Sequence, residues 1–110
     1  HKKEVFMLLV NTDYIEGKEL ETLRLVKGST VFSKNFIRDY FAGLKSIIGG
    51  ELKGYTEMLN EAREQATKRM EQEARFLNAD AIINVRYQTS NVMAQAAEVI
   101  VYGTAVKFKK

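Results

Sequence analysis

The run Glu98-Val99-Ile100-Val101-Tyr102-Gly103-Thr104-Ala105-Val106-Lys107-Phe108 decides the architecture. Successive side chains of a strand point to opposite faces, so Val99, Val101, Gly103 and Ala105 line one side. Ile100, Tyr102, Thr104, Val106 and Phe108 line the other. Both sides are substantially apolar, whereas one helical layer covers a single face of a sheet. The second face therefore predicts a further partner, and an identical subunit is the simplest supplier.

Upstream of this strand, Ile82-Ile83-Asn84-Val85-Arg86-Tyr87 is rich in β-branched and aromatic residues and predicts its neighbour. The polar residues from Gln88 to Asn91 predict a connection between the two. Before them, Leu59, Ala62, Ala66, Met70, Ala74 and Leu77 are spaced three, four, four, four and three, an average step of 3.6. That is the repeat of an α-helix, and its three alanines let the helix lie close against what it covers. Asn78 tolerates positive φ and is placed to end it.

The first half reads less evenly. Val5 to Val10 is a short apolar run bounded by Asn11, Thr12 and Asp13, with the length and flanks of a buried strand. Leu20 to Lys27 predicts a second strand, either closed by Gly28-Ser29 or continuing through Phe32. Ser33 is placed to cap a helix from Asn35, whose apolar positions Phe36, Ile37, Tyr40, Phe41, Leu44, Ile47 and Ile48 spread over more than one stripe. The pair Gly49-Gly50 is read as its terminator. The fold class is α+β.

At 110 residues, of which 45% are hydrophobic, residues 1–110 are expected to form a single domain. The absence of cysteine excludes disulfides and fits a reducing compartment. No apolar run has the length of a membrane helix, and Val5–Val10 lacks the length and cleavage site of a signal peptide. A cytoplasmic location with no membrane partner is the expectation. The net charge of +3, from 17 basic and 14 acidic residues, sits mostly at the termini (Lys2, Lys3, Lys107, Lys109, Lys110). A nucleic-acid binder concentrates cations along one face, so no nucleic-acid partner is expected.

The stretch Asn35-Phe36-Ile37-Arg38-Asp39-Tyr40-Phe41-Ala42-Gly43-Leu44-Lys45, then Gly49-Gly50 and Tyr55, resembles the YbjQ-like family of bacterial proteins. The resemblance continues through Ala62-Arg63-Glu64, Leu77-Asn78-Ala79-Asp80-Ala81 and Gly103-Thr104-Ala105-Val106. It implies a β-α-β-β subunit that assembles into a pentameric ring, with short extra strands helping to hold subunits together. The family carries a heavy-metal-binding label. Two positions depart from its pattern: Glu51-Leu52 stands where the family often has Arg-Ser, and Thr56 where it often has Glu.

The ligand inventory runs against that label. Soft and borderline metals prefer thiolate and imidazole, yet there is no cysteine and His1 is the only histidine. Met7, Met58, Met70 and Met93 are explained by packing or a loop. The carboxylates of Asp39, Glu51 and Glu57 would suit a hard ion repeated around a ring axis, or simply solvent. No metal ligand is assigned, and no cofactor is identified.

Nor is any catalytic residue assigned, because there is no internal histidine base and no Ser- or Cys-centred nucleophile motif. Residues 49–54 lack the Gly-Lys-Ser/Thr ending of a phosphate loop and are read as following a helix instead of a strand. The ligand-binding candidates are Arg38, Asp39, Gly49, Gly50 and Tyr55. Arg38 and Asp39 suit an anion-binding arginine with a supporting carboxylate, or a pair on the surface or at a subunit interface. Tyr55 stands near the glycine pair and also suits the start of the helical stripe. The expectation is a self-associating, ring-forming binding or scaffold protein without catalytic machinery. The alternatives are a small-ligand or metal-ion site at subunit interfaces or on the ring axis, and an enzyme using Arg38, Asp39 or Tyr55.

Overall fold

The protein is described by a computed structural model over residues 6–33, 47–48, 51–93 and 96–110, with the backbone alone at 47–48, 51–55 and 91–93. Its elements run β1 (Leu8–Leu9), β2 (Leu20–Ser33), β3 (Ile47–Ile48), β4 (Glu51–Leu52), α1 (Lys53–Phe76), β5 (Ala81–Met93) and β6 (Ala96–Phe108). Four strands form a mixed sheet in the order β1-β5-β6-β2, and β3 pairs with β4 separately. β1 is parallel to β5, whereas β6 is antiparallel to both β5 and β2. The class is α+β, as the sequence predicts.

α1 has 24 residues, a length of about 36 Å at the α-helical rise. Its stripe Met58, Ala62, Ala66, Met70 and Ala74 is buried against Val26, Phe32, Ile82, Val85, Val99, Val101 and Ala105. These all lie on one face of the sheet. Gly28 sits in the middle of β2, opposite Val101, and does not close the strand. A Cβ there would overlap the Ala66 carbonyl oxygen and lie 2.5 Å from the Met70 nitrogen, so glycine is what lets the helix approach. Beside it Thr30 donates its hydroxyl to the Ala62 carbonyl at 3.1 Å. Arg69 donates to the Ser29 carbonyl at 2.6 Å, and Glu73 accepts from the Lys27 N–H at 3.1 Å. Both groups lie on the outer edge of β2, so helix side chains cap part of a long edge strand.

α1 ends as its sequence suggests. Asn78 has φ 60°, its N–H donates to the Arg75 carbonyl at 2.9 Å, and the Ala79 N–H donates to the Ala74 carbonyl at 3.0 Å. This bond pair is a Schellman motif with Asn in the left-handed position.

β5 departs from expectation in two ways. It continues through Gln88–Ser90 to Met93, because beyond Val85 it is a sheet edge where polar side chains meet solvent while the backbone still pairs with β6. It also carries a bulge: Asn84, at φ 55°, and Val85 together face the single residue Gly103. A Cβ on Gly103 would lie 2.7 Å from Ile82 Cγ2 and 2.9 Å from the Ile83 carbonyl oxygen, which leaves room only for glycine.

The bulge receives the N-terminal segment. The Asn84 N–H donates to the Thr12 carbonyl at 2.9 Å and the Val85 N–H to the Val10 carbonyl at 3.0 Å. Arg86 Nη1 donates to the Asn11 carbonyl at 3.0 Å. Residues 8–20 thus cross the second face of the sheet, where Leu8, Val10, Ile15 and Leu20 pack with Phe108 on buried Ala81, Ile83 and Val106. Lys18 Nζ lies 4.9 Å from the Phe108 ring centroid and closes this end. The sequence predicts a partner for the second face, with an identical subunit as the simplest supplier; for this half the chain supplies its own cover.

The helix expected from Asn35 lies outside the described residues, apart from its last two positions. Those differ from the expectation, since Ile47–Ile48 pairs antiparallel with Glu51–Leu52. Two consecutive β-branched residues favour that extended ladder.

Candidate functional site

Of the ligand-binding candidates, Arg38, Asp39, Gly49 and Gly50 lie outside the described residues. Tyr55 falls in the first turn of α1, where only the backbone is described. The phosphate-loop comparison needs one correction: residues 49–54 lead from strand β3 through β4 into α1, not from a helix. The missing Gly-Lys-Ser/Thr ending still excludes that motif.

Two surfaces among the described residues are open to a partner. The first is the half of the second sheet face that residues 8–20 do not reach. Paired residues share a face, so register places Leu25 with Thr104, Lys27 with Tyr102 and Arg86, Ser29 with Ile100 and Gln88, and Val31 with Glu98 on this side. Leu25 is 61% exposed and Val31 58% on edge strand β2, and Tyr102 is 36% exposed on interior strand β6. Val101, next in sequence to Tyr102, is completely buried beneath α1.

The second surface is a groove where the N-terminal half of α1 leaves the ends of β2 and β6. It encloses about 650 Å3, within the size range of small-molecule sites. Phe32, Met58, Ala62 and Ala96 form its apolar body, with Glu61 and Gln65 at the rim. Positions 58, 61, 62 and 65 recur at the helical repeat, which puts them on one flank of α1. Phe32 points to the same side because it alternates with exposed Val31. Sequence reading missed the groove, since it depends on how far β2 runs past Gly28.

The donors required by a soft metal do not converge. Among the described residues no three His, Cys, Asp or Glu side chains group as ligands. Met7, Met58 and Met70 are buried in the core, where they pack. Among those residues, too, no helix is long and apolar enough to cross a membrane.

Among the described residues, one helix laid on a four-stranded mixed sheet, with a return segment over half the opposite face, defines a small α+β class of proteins. Within it, residues 7–109 match the YbjQ family model, described as "Putative heavy-metal-binding". The chain belongs to that family. A UPF0145 protein of Clostridium novyi is 66% identical over 101 residues, covering 92% of this chain and 98% of that protein. A UPF0145 protein of Alkaliphilus metalliredigens is 62% identical over 102 residues, covering 93% and 99%. A crystal structure of a protein of unknown function from Pediococcus pentosaceus, ascribed to the DUF74 family, shares the fold. Its TM-score is 0.66 at 16% identity, over 94% of this chain and 98% of that one.

Proposed function

We propose that the chain is a single-domain subunit of a closed homo-oligomeric ring that serves as a binding or scaffold protein without catalytic machinery. The observation that carries this reading is the bare half-face of the sheet. Leu25, Val31 and Tyr102 stand exposed on this side beside half-buried Ile100, beyond the cluster that residues 8–20 build. Exposed apolar side chains on ordered backbone, set among Lys27, Ser29, Arg86 and Gln88, favour an interface, and in a closed ring they meet a different surface of the next copy. The pentameric number comes from the family resemblance. The mild net charge supports self-association over nucleic acid as the principal contact, and a cytoplasmic setting accords with the cysteine-free chain. Sedimentation velocity at micromolar concentration tests the reading: a discrete species of about five subunit masses is expected, and a monodisperse monomer overturns it.

The groove favours a second reading, a receptor for a small organic ligand. Metal-ion binding gains nothing from the described side chains, whose donors fit no soft ion. Thermal shifts against a panel of small ligands test the receptor, since selective binding to the folded state raises the midpoint.

A further inference from the structure

We propose that the groove between α1 and the ends of β2 and β6 binds a small organic cation, an amine carrying an apolar body of aryl or alkyl carbon. This deepens the small-ligand reading and is independent of the ring. The size of the groove admits a compact molecule, and its chemistry has two parts. Phe32, Met58, Ala62 and Ala96 offer an apolar wall that recognises carbon surface and has no directional demand. Glu61 is the one charged side chain among the described lining residues, so what they bring to the rim is a single negative charge.

The neighbouring polar groups reinforce that sign. Arg63, two positions beyond Glu61, is turned along the helix, with Nη1 donating to Asn60 Oδ1 at 3.2 Å. Arg69 is engaged with the Ser29 carbonyl. The Thr30 hydroxyl has given its proton to the Ala62 carbonyl, so toward the groove it offers an acceptor and no donor. No ion pair among the described residues occupies Glu61. Gln65, one turn further along, supplies a carbonyl oxygen that can share the same N–H donors. An ammonium or guanidinium group at the rim, with its carbon body against Phe32 and Met58, satisfies both parts at once. A carboxylate of the same shape meets repulsion from Glu61.

The test uses the full chain with methionine methyls labelled with carbon-13, titrated with 4-phenylbutylamine and separately with 4-phenylbutanoate. The amine is expected to shift the Met58 methyl signal saturably while Met70, buried further along α1, stays in place. Glu61→Gln is expected to weaken amine binding by about 3- to 5-fold, the worth of an exposed charge pair. Glu64→Gln, off the groove on the same helix, leaves it unchanged. If phenylbutanoate binds at Met58 as well as the amine does, or Glu61→Gln has no effect, the cation proposal fails and the small-ligand reading stands. If neither compound moves Met58, both fail. The mass measurement on the unlabelled chain decides the ring separately.

Discussion

The two faces of β6 carry nearly the same amount of apolar side chain and meet opposite fates. Val99, Val101 and Ala105 vanish under α1, whereas Ile100 and Tyr102, interleaved with them, look out from a half-face that residues 8–20 stop short of. The difference is one of length. A helix of about 36 Å runs along most of the 13-residue ladder, but the N-terminal segment covers only the end around Ala81, Ile83 and Val106. What makes a face an interface is thus the reach of the covering element, not the composition of the strand.

The largest expected effect comes from forcing the covered face open. Gly28→Val should cost about 4 kcal/mol or abolish folding, because its side chain would enter the α1 backbone at Ala66 and Met70. Urea denaturation measures it. Deleting residues 1–15 should make the two halves of the second face alike. Stripping Ala81, Ile83 and Val106 of their cover should lower stability by about 3 kcal/mol, read as an earlier thermal midpoint.

Val101→Ala should cost about 2 kcal/mol by leaving a cavity beneath α1. On the bare side, Leu25→Glu should change the stability of an isolated subunit by no more than about 0.5 kcal/mol while abolishing the larger species in sedimentation. A Leu25→Glu chain that keeps its assembly would place the interface elsewhere. Smallest of all, Glu71→Gln removes an exposed pair with Arg75 at 3.4 Å and should cost about 0.3–0.5 kcal/mol by chemical denaturation.

The covered face was legible in the sequence because its signal is periodic. Six residues at the helical step identified α1, and Asn78 marked its end. Four of the six, Ala62, Ala66, Met70 and Ala74, form its buried stripe, with Met58 heading it instead of Leu59. Gly28 was harder to place, since a glycine followed by a serine reads as a turn until a helix is known to pass over it. The bulge was hidden because Asn84 looks like any polar residue in a strand, and only the pairing with Gly103 reveals two residues against one. Gln88 to Asn91 resembled a connection because an edge strand can be polar on solvated positions without losing its ladder.

The candidate site was less legible. Arg38, Asp39, Gly49 and Gly50 fall outside the described residues, and the groove required knowing that Phe32 and Met58 meet, residues 26 positions apart in the chain. The apolar character of the second face was legible. Its division into a self-covered half and a bare half was not, because nothing in residues 8–20 states where they dock.

The parallel pairing of β1 with β5 also sets an order of events during synthesis. Leu8 and Leu9 leave the ribosome before α1, and the partners that seat them, Ala81 and Ile82, emerge only after α1 is complete. The nascent chain therefore carries this greasy segment unpaired until Ala81 and Ile82 follow.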